Sequence, residues 1–189
     1  MLDLGCGAAV HRELCEALGF RYVGVDVVVE GGDVLADGQA LPLNAAQFEF
    51  VLSISMLQYV PNPWAVVAEV RRVLVPGGTF IGSVPFLEPF SGGYFHMSQA
   101  GIASLLESAE FEIVALGPSA RWTSLTAQAS MGLFPKMPRS LARALVAPLD
   151  LAHRLWWRVG SLVDEKADEQ TRIGKTAGSF SFVARSLSA

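Results

Sequence analysis

The chain of 189 residues has little that would let it work through thiol or metal chemistry. Its two cysteines, Cys6 and Cys15, lie close together with no secretory leader ahead of them, which argues against a disulfide framework and for a reducing, cytoplasmic setting. Its three histidines, His11, His96 and His153, are too scattered to form a metal-ligand spacing with those cysteines, so no metal is expected. There is no Gly-x-Ser-x-Gly elbow, Walker loop or Cys-x-x-Cys pair, which leaves hydrolase, ATPase and redox-thiol readings without support. Long apolar runs are missing as well. Arg139, Arg143, Asp150, Arg154 and Arg158 interrupt the most hydrophobic stretch, so no transmembrane span is expected. Cations are scarce at first: residues 1–118 carry four Lys/Arg against thirteen Asp/Glu, too few to neutralise nucleic-acid phosphates. Residues 119–160 reverse the balance, with six against one.

What is present is an apolar half, 51% of residues, ample for the core of one domain. Short apolar runs alternate with helical patterns through the first half, the signature of βα units on a parallel sheet. Residues 1–4 read as a strand running into the turn Gly5-Cys6-Gly7, after which Val10, Leu14, Ala17 and Leu18 recur at helical spacing up to Gly19. Residues 21–25 and 48–53 read as further strands and 63–74 as a helix. Pro76-Gly77-Gly78 reads as a tight turn into a strand over 79–84. Ser98 is placed to cap a helix carrying Ile102, Leu105, Leu106 and Ala109, and 111–116 reads as the next strand. From 117 to 178 the rhythm lapses into apolar helical material with Trp122, Trp156 and Trp157. Residues 180–185 then alternate like an edge strand. The expected fold is α/β: a Rossmann-like, mostly parallel sheet with helices on both faces and a helical insertion before the last strand. In that reading 1–116 form the cofactor-binding core, 117–178 the insertion and 179–189 the closing strand of a single domain. Because the chain opens inside what reads as a core strand, a preceding segment is expected in the natural protein.

The informative constellation is a strand, Gly5-x-Gly7, a helix, and a second strand ending on Asp26. Glycines at the strand-to-helix turn let the backbone approach a ligand with no Cβ in the way. An acid at the next strand's tip can accept hydrogen bonds from ribose hydroxyls. This pattern alone does not choose a cofactor. Val10 stands where a dinucleotide fingerprint has its third glycine, which disfavours NAD.

Leu2-Asp3-Leu4-Gly5-Cys6-Gly7 resembles the first motif of class I S-adenosylmethionine-dependent methyltransferases, in the subgroup acting mostly on small molecules. Gly24-Val25-Asp26 resembles the ribose-binding acid of that family. Ala36-Asp37-Gly38-Gln39-Ala40-Leu41-Pro42-Leu43 resembles the loop whose Asp contacts the adenine amino group. Phe48-Glu49-Phe50-Val51-Leu52-Ser53 resembles the fourth strand, Met56-Leu57-Gln58-Tyr59-Val60-Pro61-Asn62-Pro63 the segment after it, and Arg71-Arg72-Val73-Leu74-Val75-Pro76-Gly77-Gly78 the turn before the fifth strand. These motifs fall in order over residues 1–116. The resemblance implies S-adenosylmethionine as cofactor, with Asp3, Gly5, Cys6, Gly7, Asp26, Val27, Asp37, Gly38, Ser53 and Leu57 around it. Asp3 either orients the loop or approaches the cofactor's amino group through water, and Cys6 is read as a small packing residue. Three positions depart from the pattern: Glu49 replaces the usual Asp, Tyr59 stands where many relatives have His, and Val10 displaces a common glycine.

Methyl transfer from a sulfonium is an in-line displacement with an activated leaving group, so the protein chiefly aligns the reactants. A base helps only a proton-bearing acceptor, and the candidates are Tyr59, Tyr94, Glu88 and His96. His96 is preferred as the catalytic base with Tyr59 beside it, against the plainer reading that His96 packs or caps the next helix with Ser98. The apolar insertion, with Leu141, Leu145, Leu149, Leu155 and Trp156, reads as ordinary helical packing, a hydrophobic acceptor pocket, a dimer interface or, through 139–158 with its arginines, a peripheral membrane contact. A small-molecule acceptor, lipid-like or glycan-linked, fits better than protein or nucleic acid, because Ser53-Ile54-Ser55-Met56 stands where amide and base N-methyltransferases carry Asn-Pro-Pro-Tyr. The chain is expected to be a monomer or homodimer. Two rival readings stay open: a catalytically degenerate partner module of the same fold, and a nicotinamide-dependent oxidoreductase, which lacks its usual Tyr-x-x-x-Lys here.

Overall fold

Leu2, Asp3 and Leu4 are all buried and form the central strand β1 (Leu2–Leu4). The computed structural model describes every residue except 29, 88–91, 120–122, 161–176 and 188–189; Trp122 and Glu88 therefore lie outside the described residues. Following β1 come α1 (Arg12–Ala17), β2 (Val23–Asp26), the two-residue β3 (Val34–Leu35) and β4 (Phe48–Ile54). A 3-10 turn over Leu57–Tyr59 leads into α2 (Pro63–Val73) and β5 (Leu74–Pro85). The second half holds α3 (Gln99–Glu107), β6 (Phe111–Pro118), α4 (Ser124–Met131), α5 (Arg139–Gly160) and β7 (Ser179–Ser186).

The seven strands make one sheet in the order β3-β2-β1-β4-β5-β7-β6, parallel except for β7, which runs antiparallel to both neighbours. The C-terminal ends of β1 to β6 therefore share one rim, where ligands of open α/β sheets bind. The alternation over 180–185 reflects a different position from the expected edge. β7 is interior, with Phe180, Phe182 and Ala184 buried, and β6 is the edge. Alternation reports one buried face, which an antiparallel interior strand shares with an edge strand.

Local chemistry sets most helix ends. Pro63 opens α2 behind Asn62, whose Oδ1 accepts the Ala65 N–H at 3.2 Å. Ser98 caps α3 by accepting the Gly101 N–H at 3.2 Å. α2 turns Val66, Val67, Val70 and Val73 inward, α3 Ile102, Leu105 and Leu106, and Phe80 of β5 meets Phe182 of β7 edge-on at 4.9 Å. Pro76-Gly77-Gly78 does not interrupt the strand as a turn would. It is an outward bulge within β5: the register with β4 jumps from Phe48 opposite Leu74 to Phe50 opposite Thr79, and Gly77 takes φ +78°. The first helix also departs from its reading. It begins only at Arg12 and buries Cys15, while Val10, Leu14 and Leu18 stay in solvent.

Candidate functional site

At the end of β1 the chain reverses through Gly5, whose N–H and that of Cys6 both donate to the Val25 carbonyl, at 2.8 and 3.2 Å. Gly5 has φ +79°, and a Cβ there would stand 2.4 Å from Cγ of Met56, so the position accepts nothing larger. The next glycine, Gly7, donates its N–H to Asp26 Oδ2 at 2.8 Å, and Asp26 Oδ1 accepts the Val28 N–H at 3.1 Å. One side chain at the tip of β2 thus fixes the glycine loop and its own loop together.

Between the loops after β1, β2, β3 and β4 lies a cavity of about 400 Å³, within the range of small-molecule sites. Gly5, Asp26, Val27, Asp37, Gly38 and Tyr59 line it, so six of the twelve residues singled out in the sequence meet on one wall. The other six stand elsewhere. Asp3 is buried beneath the loop and accepts the Tyr22 hydroxyl at 2.5 Å. Cys6 is buried, with its sulfur close against Gly24. Gly7 lies behind Asp26. Ser53 is fully buried at the end of β4, its hydroxyl without a protein partner, and Leu57 is part of the hydrophobic core. His96 is exposed, its Nδ1 3.3 Å from the Phe86 carbonyl oxygen and its ring off the cavity wall. Its loop is nevertheless tied to the site: the Gln58 carbonyl accepts the Tyr94 N–H at 2.6 Å, one residue before Tyr59.

The sequence reading passed over Met56, Ser55 and Gln39 as site residues, and all three also line the cavity. A signal existed for Met56. It stands three residues before Tyr59 across a 3-10 turn, and in that geometry positions i and i+3 share a side, whereas Leu57 turns to the core. Two supporting clusters were also missed. Asp33 accepts the Gly24 N–H and the Arg12 guanidinium, each at 2.8 Å, and these bonds hold its carboxyl below the usual range, the Gly24 N–H foremost. Glu69 accepts the Leu41 N–H at 2.7 Å and pairs with Arg72, which donates to the Leu43 and Leu41 carbonyls at 2.7 and 3.0 Å. That cluster anchors the segment following Asp37-Gly38.

Electrostatics separate reactive from inert groups. Burial pushes the Cys6 thiol up to about 11, with Asp3 and Asp26 adding to the effect, so it is not a thiolate near neutrality. Burial also raises the Asp3 carboxyl against the pull of the Tyr22 hydrogen bond. The Tyr22 phenol is driven far above its ordinary value, by desolvation first and then by Asp3. Asp26 and Asp37 can hold a nucleoside-type group. Each Asp26 oxygen has a single backbone donor, and both Asp37 oxygens are met only by Gln39, so lone pairs remain for ligand hydroxyl or amino groups. Among the described residues no cluster of His, Cys, Asp or Glu could hold a metal ion, and no helix is long and apolar enough to cross a membrane.

Residues 2–82 match the family model described as a methyltransferase domain. An uncharacterized methyltransferase of Mycobacterium leprae is 32% identical over 106 residues, which make up 49% of this chain and 39% of that protein. The chain thus spans about two fifths of the length of the curated relative it matches. Among solved structures, the cyclase SpnF superposes with TM-score 0.66 at 15% identity, covering all of this chain and 74% of that one. A SAM-dependent methyltransferase from Methanosarcina mazei gives 0.60 at 16% identity, covering all of this chain and 92% of the other. At these identities the structural likeness establishes the fold; that one neighbour is a cyclase shows that the fold does not by itself fix the chemistry.

Proposed function

We propose, for a chain whose residues 2–82 match a methyltransferase-domain model, that it is a class I methyltransferase that binds S-adenosylmethionine in the cavity lined by Gly5, Asp26, Asp37 and Gly38 and methylates a small-molecule acceptor of lipid-like or glycan-linked chemistry. The observation that carries this reading is the meeting of Asp26, Asp37 and the Gly5 turn on one wall of about 400 Å³ at the C-terminal rim of the sheet.

In this reading Asp26 accepts from the ribose hydroxyls and Asp37 from the adenine amino group, while Gly5 keeps the loop close because no Cβ intervenes. When bound, the cofactor supplies a methyl group on a positively charged sulfur. The chain's part is then alignment. Tyr59 and Met56, which line the cavity next to the point where the Tyr94 N–H bonds the Gln58 carbonyl, hold the acceptor in line. For a proton-bearing acceptor, His96 takes the proton at Nε2, because its Nδ1 faces the Phe86 carbonyl and is the nitrogen that keeps its hydrogen. The helices between β6 and β7 cap the acceptor from the same rim.

The nicotinamide reading is weakened by α1. A pyrophosphate sits at a helix N-terminus, and here the helix starts only at Arg12, five residues beyond Gly7, with Val10 exposed where a packing glycine would be. Parallel calorimetric titrations with S-adenosylhomocysteine and NAD test the assignment, followed by transfer of labelled methyl to a panel of lipid and glycan acceptors. Micromolar binding of the first ligand alone supports the proposal; binding of neither by folded protein points to a partner module.

A further inference from the structure

The 22-residue α5 presents its apolar side to solvent. Its buried stripe is made of small or polar positions, Ala142, Val146 and Asp150, with Ala142 and Val146 packed against Ala129 of α4. A neighbouring side carries Leu141, Leu145, Leu149, Leu155, Trp156 and Val159, each between 48% and 74% exposed and recurring with helical period. A helix buried only by its own domain has the reverse arrangement.

Charge is sorted in the same way. Arg139, Arg143, Arg154 and Arg158 are all exposed and form a separate stripe at helical spacing, with Arg143 and Arg154 beside Thr123 and Asp150 rather than among the leucines. The helix's one acid, Asp150, is turned inward, where it accepts the Thr123 hydroxyl at 2.6 Å and pairs with Arg154 at 3.1 Å. The outward surface of α5 is therefore apolar and cationic with no acid on it, in a chain whose first 118 residues hold thirteen acids against four bases.

We propose that α5 lies in the surface of an anionic membrane, its leucines and Trp156 in the headgroup–acyl boundary and its arginines against lipid phosphates. The helix is not apolar enough to cross a bilayer, which suits a helix lying along the interface. Tryptophan favours that depth, and each arginine near an anionic leaflet adds about 1 kcal/mol. A second copy of α5 is the poorer occupant, since packing through the leucines would engage only the apolar stripe, whereas an anionic interface engages leucines and arginines together. The inference does not rest on the methyl-transfer reading.

Vesicle co-sedimentation of the full chain tests it, using phosphatidylcholine alone and phosphatidylcholine mixed with phosphatidylglycerol. The expected result is binding to the mixed vesicles only, weakening as salt is raised. Leu145→Glu with Trp156→Glu abolishes it. Arg139→Gln with Arg143→Gln weakens it roughly 25-fold, about five-fold per arginine. Both variants replace side chains already in solvent, and circular dichroism checks that they remain folded. The proposal is overturned by an absence of binding to the mixed vesicles, by equal binding to neutral vesicles, or by undiminished binding of both variants. A dimer that Trp156→Glu splits, in a protein that ignores vesicles, overturns it in favour of self-association.

Discussion

Replacing Asp26 separates two jobs that this side chain combines. In the free protein Asp26 accepts the Gly7 and Val28 N–H groups, one on each oxygen. Hydrogen bonds to a charged acceptor contribute about 1.5–3 kcal/mol each. Taking the lower end for a half-buried carboxylate, two ligand hydroxyl contacts come to about 3 kcal/mol, or roughly a hundred-fold in affinity. Asp26→Ala should therefore weaken S-adenosylhomocysteine binding by about two orders of magnitude, while loss of the two backbone contacts lowers stability by only about 1–2 kcal/mol. Asp26→Asn should fall between the two, because its single carbonyl oxygen leaves either Gly7 or Val28 facing an amino group. Calorimetry at 25 °C gives the affinities, and thermal melts show that both variants remain folded. If folded Asp26→Ala bound within three-fold of the parent, the carboxylate would not touch the ligand and its role would reduce to pinning the glycine loop.

Gly5→Ala should destabilise by about 2–4 kcal/mol, combining the cost of a Cβ at positive φ with overpacking against Met56. A fall in melting temperature of less than about 3 °C would contradict that geometry. Arg72→Ala should cost about 2–3 kcal/mol, since it leaves Glu69 unpaired and releases the Leu41 and Leu43 carbonyls; faster hydrogen exchange confined to residues 41–43 is the signature to look for. Glu69 titrates below its ordinary 4.5 when folded, because of Arg72 and then Leu41, so its contribution is present above that value and lost as pH falls through the folded one. Asp3 behaves oppositely. Its folded pKa lies above the ordinary 3.8, so it favours folding at lower pH and withdraws that contribution as pH rises through the folded value. Asp3→Asn, whose carbonyl still accepts from Tyr22, should be at least as stable as the parent at pH 7, with the advantage gone at pH 3; denaturant midpoints at the two values decide it.

The parts of this protein legible in its sequence are those fixed by a few consecutive residues. The glycine turn after β1, Asp26 at the tip of β2, the Asn62-Pro63 start of α2 and the Ser98 cap each follow from local backbone chemistry. The parts that were not legible depend on partners far along the chain. Nothing within 180–185 says that the strand lies between β5 and β6, and nothing near Arg72 says that it reaches the Leu41 carbonyl. The glycines at 77 and 78 announced a change of direction but not that β4 would continue pairing on either side of it. Within the site, the period of the 3-10 turn separates Met56 from Leu57; a reading by family motif alone chose the residue that faces the core.

The place of β7 also has a bearing on biosynthesis. During synthesis β6 emerges about sixty residues ahead of β7, the only strand among the described residues that hydrogen-bonds to it. Until β7 arrives, the strands from β3 to β5 can assemble around the glycine loop, while β6 has no place in the sheet and β5 shows an open edge. The cofactor half is therefore the natural first unit to form at the ribosome. The remainder is a late, long-range closure, and chaperone protection should be needed in that interval.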